Sequence, residues 1–324
     1  MKVLIYSVYG FDRSFLEAYS GNHSVEYTEE HLSIETVGLS KGYRAIATFS
    51  SDNVDTSVLR ELENNGVKFI ATRSVGYNHI NIVAAKEYGI TVANVPAYSP
   101  YSVSEHAVAL LLAIVRKVMY AQELFADQDF RLDNLVGFDL YGKNVGIIGC
   151  GKIGANFGKI MDGFGCKIMA YDTLPQDNEF IRFVTLEKLL LEADIVYLSC
   201  PLNQSTHHIM GRAEIMKMKK EAILINTARG AVIDTEALVE LMEEGHLGGA
   251  GLDVYEYEKG LYFEDHRNEL ISAPFFHRLR KLDNIIMTAH QGFLTREALE
   301  GIAKVTFANL TQWDKDGISE NDIK

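Results

Sequence analysis

The stretch NVGIIGCGKIG, from Asn144 to Gly154, restricts what this chain can fold into more than any other. Val145–Ile148 is a short apolar run of the kind that forms a buried strand. Gly149-x-Gly151-x-x-Gly154 follows without a gap, and Ala155–Phe164 continues with helical spacing. A second strand-like run, Lys167–Tyr171, ends at Asp172. Each part has a physical task. Gly149 permits the tight turn, Gly151 leaves bare backbone for a pyrophosphate to approach, and Gly154 lets the helix pack closely on the strand. The helix N-terminus adds unpaired N–H groups and the positive end of the helix dipole. A lone glycine turn says little, but strand, turn, helix, strand and terminal acid in this order read as a dinucleotide-binding unit. A carboxylate at Asp172 accepts hydrogen bonds from both ribose hydroxyls and repels a 2′-phosphate. Thr173 follows it where an arginine would serve a phosphate, so the expected cofactor is NAD, not NADP.

The rest of the chain has the same rhythm. At 324 residues it exceeds one ordinary core, so two domains are expected. Strand-like runs at Val3–Tyr6, Ala45–Phe49, Val67–Ala71 and Thr91–Asn94 alternate with helical patterns at Asp12–Tyr19, where Asp12 is placed as a cap, and Val54–Asn64. NVPAYSP, Asn94–Pro100, breaks the alternation. Its prolines take Val95 and Ser99 out of helical geometry and mark a hinge. A long helix from Ser102 to Gln122 and a second alternating series from Asn144 to about Ile286 follow. The last helix, Thr295–Trp313, carries Leu299, Ile302, Val305, Leu310 and Trp313 along one side, and the pattern alone leaves open which domain it joins. Strands alternating with helices give parallel sheets with right-handed crossovers, hence an α/β chain of two doubly wound domains.

Charge and composition exclude several classes of function. A net charge of −13 opposes binding to nucleic acid or anionic lipid, so neither is an expected partner. Cys150, Cys166 and Cys200 are odd in number and lack C-x-x-C spacing, which fits a reduced, cytoplasmic protein. MKVLIYSVYG has too short an apolar stretch for a signal peptide. The longest apolar run, Ala107–Val115, is too short to span a membrane and reads as deep core or a subunit interface.

Three later residues suit redox chemistry on a 2-oxo acid. Arg229 follows the apolar run Ile223–Ile225, Glu258 ends GLDVYEYE, and His290 ends IIMTAH. Ligands gather at the carboxyl ends of parallel strands. A guanidinium there holds a carboxylate bidentately, and a histidine backed by a carboxylate exchanges a proton with a substrate oxygen. Singly, each has an ordinary reading as an ion-pair partner, a surface acid or a buried imidazole. Together, at successive strand ends, they form a constellation. His207 and His208 are adjacent with no acid or thiol at zinc-ligand spacing, so no metal is expected, and both read as loop residues beside the cofactor.

GIIGCGKIG, SCPLNQSTHHIM, INTARGAVID, GLDVYEYE and TAHQGFLTREAL, with RSVGYNHI and NVPAYSP before them, resemble the successive motifs of the NAD-dependent D-2-hydroxyacid dehydrogenases over essentially the whole chain. The long connection between Glu258 and His290 resembles the D-lactate branch. The resemblance implies a flavodoxin-like substrate domain, residues 1–99 with 299–324, and a Rossmann NAD-binding domain, residues 100–298, with the active site in a cleft between them. It implies that His290 is the acid/base, Glu258 holds its imidazole and Arg229 orients the substrate. Val75 and Gly76 N–H groups would receive the substrate carboxylate, with Phe49, Tyr98 and Phe293 lining its pocket. Lys152 and Ile153 would lie at the pyrophosphate, and Cys200, Pro201, Thr206, Thr227 and Asp253 along the rest of the dinucleotide. A homodimer or larger homo-oligomer is implied too. Two positions depart from the pattern: Gly292 stands where alanine is common, and Phe49 where lactate enzymes often carry tyrosine. The expected reaction is reduction of pyruvate to D-lactate with NADH. Phe49 keeps larger 2-oxo acids open, and an NAD-sensing binding protein without turnover is the reading from another class.

Overall fold

A computed structural model describes residues 1–176 and 178–324. The chain divides into two compact units, Met1–Ser99 with Leu294–Lys324, and Pro100–Phe293. The first holds a five-stranded, wholly parallel sheet of β1 (Lys2–Ile5), β2 (Ser24–Tyr27), β3 (Ala45–Thr48), β4 (Phe69–Thr72) and β5 (Thr91–Ala93), in the flavodoxin-like order 2-1-3-4-5. Alternation along the strands divides its core in two. Leu4, Ile46, Ile70 and Val92 pack with Val58, Leu59 and Leu62 of α2 (Thr56–Asn64), while Val3, Ile5, Ala47, Phe69 and Ala93 pack with Phe307, Leu310 and Trp313 of the last helix, Arg296–Asp316. That helix therefore belongs to the first unit, and the crossing back falls at Leu294, ahead of the residue 299 read from sequence.

The second unit carries seven parallel strands: β6 (Asn144–Ile148), β7 (Lys167–Tyr171), β8 (Ile181–Phe183), β9 (Ile195–Leu198), β10 (Ile223–Asn226), β11 (Gly249–Leu252) and β12 (Ile285–Met287). Their order, β12-β11-β10-β9-β6-β7-β8, is that of a Rossmann sheet with one added edge strand. The order reverses between β6 and β9, and parallel sheets of this kind bind ligands beyond the carboxyl ends at such a point. Ala107, Leu110 and Leu111 of the apolar run are core here. They pack with Val145, Ile147, Ile168 and Ile225 on one face of the sheet.

Several local expectations change. The long helix is broken. α3 (Ile82–Glu87) is followed by α4 (Pro100–Val115), then Lys117 takes left-handed backbone (φ 50°) and α5 (Val118–Ala126) begins. Pro100 opens α4, where its missing N–H costs nothing. Asp12 precedes α1 (Arg13–Tyr19) but its side chain does not cap it. Its carboxylate accepts from Tyr9 N–H (3.0 Å) and pairs with the buried Arg73, whose guanidinium also donates to the carbonyls of Tyr6 and Ser7. Burial raises the Asp12 pKa, and Arg73 offsets only part of that. β2 escaped the sequence reading because its half-exposed edge pattern lacks an apolar run.

Trp313 is 1% exposed, stacks on Phe69 at 4.8 Å and donates its indole N–H to Asp322 (2.8 Å). Trp313→Ala should destabilise the first unit by about 3–5 kcal/mol. Urea denaturation followed by circular dichroism measures this, and a loss below about 1 kcal/mol would contradict the packing described.

Candidate active site

The glycine turn sits at the order reversal. Gly149 has φ +88°, and a Cβ there would lie 2.6 Å from the Cys200 backbone, so the loops after β6 and β9 touch. A Cβ on Gly154 would lie 2.3 Å from the Gly149 carbonyl, while one on Gly151 would meet nothing within 4 Å. The turn is thus tight where helix meets strand and open where a pyrophosphate must approach. α6 (Lys152–Gly163) starts at Gly151 without a side-chain cap, so the N–H groups of its first turn, Lys152 and Ile153 included, remain available to an anion. Asp172 closes the turn. Its Oδ2 accepts from Cys150 N–H (2.6 Å) and its Oδ1 from Leu174 N–H (2.9 Å). These features fit a dinucleotide.

Other residues expected along the cofactor lie at neighbouring strand ends. Thr206 donates to the Pro201 carbonyl (2.6 Å) and accepts from Asn203 N–H (2.8 Å), which folds the loop after β9. Thr227, beyond β10, is buried with its hydroxyl 2.9 Å from that of Tyr197. Cys200 is buried, and burial lifts its thiol and that of Cys150 to about 11. Burial thus favours the protonated thiol at both positions.

Because β10, β11 and β12 are parallel neighbours, the segments after them emerge on one edge, and they carry Arg229, Glu258 and His290. His290 Nδ1 donates to Glu258 Oε1 at 2.8 Å, while Glu258 Oε2 accepts from Tyr255 N–H (2.9 Å). The carboxylate is thus held by its own loop and fixes the ring, leaving Nε2 with no hydrogen-bond partner among the described residues. Phe263 and Phe293 flank the ring, with centroids 6.1 and 6.5 Å away. Asn226, 1% exposed, shapes the turn carrying Arg229 by donating to the Arg229 carbonyl (2.9 Å) and accepting from Ala228 N–H (3.0 Å).

His290 has left-handed backbone, φ 52°, and needs an external restraint. Asp253 supplies it. Its carbonyl accepts from His290 N–H (2.7 Å), and its carboxylate accepts from Gln291 N–H (2.8 Å), Gly292 N–H (2.8 Å) and the Thr288 hydroxyl (2.6 Å). His106 of α4 reaches the same oxygen at 3.2 Å and Thr288 at 2.9 Å. A Cβ on Gly292 would come within 2.9 Å of the carboxylate, so the glycine departure permits close approach. Asp253, expected along the dinucleotide, is 1% exposed, and both its oxygens accept hydrogen bonds from this loop. Sequence reasoning missed His106, Thr288 and Asn226; the signal was a polar residue bordering each apolar run.

In the first unit, Phe49 is buried against Tyr9 (5.6 Å, edge-on), with Arg73 over its face at 5.1 Å. The Arg73–Gly76 loop is held by Ser74, whose hydroxyl donates to the Gly76 carbonyl (2.6 Å), and by Asn94, which donates to the Val75 carbonyl (2.8 Å). No acceptor meets the N–H of Val75 or Gly76 among the described residues. Tyr98 is half-buried in the segment before α4.

Burial alone would raise the Asp253 pKa, but the hydrogen bonds from His106 and Thr288 and the nearby His106 and His290 outweigh it and hold the carboxyl below its ordinary value. A depressed pKa contributes stability above the unfolded-state value, about 4, and loses it as pH falls through the folded-state value. Asp253→Asn turns one acceptor into a donor facing another donor. It should cost about 1–3 kcal/mol at pH 7. Urea midpoints of the two proteins should converge as pH falls through the carboxylate range. A gap that is absent at pH 7, or unchanged at acid pH, argues against the clamp.

The model of the D-isomer specific 2-hydroxyacid dehydrogenase NAD-binding domain matches residues 108–292. Over all of this chain and 99% of its own length, 2-hydroxyacid dehydrogenase homolog 2 of Schizosaccharomyces pombe is 41% identical. The D-lactate dehydrogenase of Escherichia coli is 37% identical over the full length of both. The structure of the Aquifex aeolicus D-lactate dehydrogenase complexed with NAD and lactic acid superposes with a TM-score of 0.90 at 30% identity, covering 99% of this chain and 98% of that one. With its matching NAD-binding domain and full-length relatives, the chain belongs to the D-isomer specific 2-hydroxyacid dehydrogenases and uses NAD.

Proposed function

We propose that this protein is a D-lactate dehydrogenase that reduces pyruvate to D-lactate. The observation that carries the reading is the His290–Glu258 pair with Nε2 open, one strand end away from Arg229. His290, as imidazolium, gives its Nε2 proton to the oxygen formed from the substrate carbonyl. Glu258 holds Nδ1–H, which fixes the ring and stabilises its positive charge before transfer. Arg229 fixes the 2-oxo acid by its carboxylate and lowers the cost of charge on the carbonyl oxygen. The N–H groups of Val75 and Gly76 are the further carboxylate donors, and Phe49, Tyr98 and Phe293 define the size of the side chain accepted. Bound NADH supplies the hydride, held by the Gly149–Gly154 turn, Asp172 and the loops carrying Cys200, Pro201, Thr206 and Thr227. The long connection between Glu258 and His290, and a full-length relative that is a D-lactate dehydrogenase, support pyruvate as substrate. The buried, apolar Phe49 favours a second reading, a larger 2-oxo acid.

No helix among the described residues is long and apolar enough to cross a membrane. α5 buries none of its residues in this chain, and Val118, Met119 and Phe125 on it are at least half exposed, which supports a homo-oligomer.

NADH oxidation measured with pyruvate, 4-methyl-2-oxopentanoate, phenylpyruvate and hydroxypyruvate should give the highest kcat/KM with pyruvate. A higher value with a larger acid selects the second reading, and no turnover with any of them overturns both. His290→Ala should lower kcat by about 10²–10⁴-fold; near-normal turnover refutes its role. Asp172→Asn keeps an acceptor for the Cys150 N–H and removes the charge, so the NADH over NADPH preference should fall by about tenfold or more. Full discrimination in this variant would contradict the assignment.

A further inference from the structure

We propose that His207, His208 and Glu256 form a binding site for one divalent transition-metal ion of the zinc or nickel class. The sequence offered two adjacent histidines and no acid near them. The fold supplies the acid from the segment after β11. His208 Nε2 lies 2.7 Å from Glu256 Oε1, the two imidazoles stack with centroids 4.0 Å apart, and one donor atom from each residue lies within 4.8 Å of the others. A metal with ligands at about 2.0–2.2 Å holds tetrahedral donors about 3.4 Å apart, so the rings must turn to bring the donors in from their present spacing of at most 4.8 Å.

The scaffold around these ligands is fixed. His208 takes left-handed backbone (φ 50°) and donates its N–H to the Ala231 carbonyl (2.9 Å), and Met210 N–H donates to Val232 (3.0 Å). Glu256 Oε2 accepts from Thr235 N–H (3.2 Å) at the start of a helix, Thr235–Glu243, which orients the carboxylate as outer partners orient metal ligands. An ion pair accounts for His208 and Glu256. It does not account for His207, whose exposed ring has no hydrogen-bond partner among the described residues and holds a ring nitrogen within 4.8 Å of the other two donor atoms. Two imidazoles and a carboxylate suit zinc, nickel or cobalt over magnesium or calcium, and three protein ligands leave a position for water. The bound ion would tie the loop after β9 to the loop after β11, two residues from Glu258.

Isothermal titration of the untagged protein with zinc chloride or nickel chloride tests this. One ion should bind per chain, with magnesium chloride giving no such event, and zinc should raise Tm. His207→Ala and Glu256→Gln should each weaken the Kd by about tenfold or more and abolish the Tm shift. Neither variant should disturb the fold: the His207 side chain makes no hydrogen bond among the described residues, and glutamine keeps an acceptor for Thr235 N–H and offers its amide N–H to the neutral His208 ring. Equal metal-free Tm values verify this, and if one variant is destabilised the other decides. Absence of binding in the unaltered protein, or affinity unchanged in these variants, overturns the proposal.

Discussion

Every strand of the second sheet runs the same way, and the chemistry of this protein depends on that constraint. A parallel sheet delivers all carboxyl ends to one edge. The glycine turn, the Cys200–Thr206 loop, Arg229, Glu258 and His290 follow five different strands, yet they share that edge because of strand direction alone. The reversal of order between β6 and β9 opens the place for a dinucleotide, and the unbroken run β10-β11-β12 lines up the guanidinium, the carboxylate and the imidazole. Strand order thus assembles groups separated by more than a hundred positions in sequence.

Strand order alone does not orient side chains, and buried polar groups complete that task. Asp253 gathers two backbone N–H groups, a hydroxyl and an imidazole around one carboxylate, and so holds His290 in a backbone conformation it would not adopt unaided. Asn226 does the same for the turn of Arg229, and Asp52 for the start of the Phe49 loop, where it accepts from Phe49 N–H (2.6 Å) and from the Ser7 hydroxyl (2.5 Å). Such groups are costly to leave unpaired in the interior, and in Asp253 and Asp52 both carboxylate oxygens are engaged.

The legible part of the sequence follows from this division. Patterns set by contiguous residues could be read: the apolar strands, the glycine turn and its terminal acid, and the last helix with Trp313 on its apolar side. Arg229, Glu258 and His290 stand out in the sequence because each lies a few positions beyond an apolar run. What escaped depends on partners distant in sequence. Asp12 has the look of a helix cap, but burial against Arg73 redirects it. The helix from Ser102 has no glycine or proline to announce its break, which lies in the left-handed Lys117. The hydrogen bonds of Asp253 to the His290 loop come from residues more than thirty positions away, which no local pattern announces. The acid beside His208, Glu256, comes from another strand end, out of reach of local spacing.

The chain contains a single tryptophan, Trp313, sealed in the core of the first unit. Its emission, excited beyond the absorption of tyrosine, is therefore an optical signal from that unit. Circular dichroism averages over both units, so comparing the two signals separates loss of the flavodoxin-like sheet from loss of the Rossmann sheet without adding a label. Evolution has left this enzyme with a built-in gauge of whether its two halves melt together or in turn.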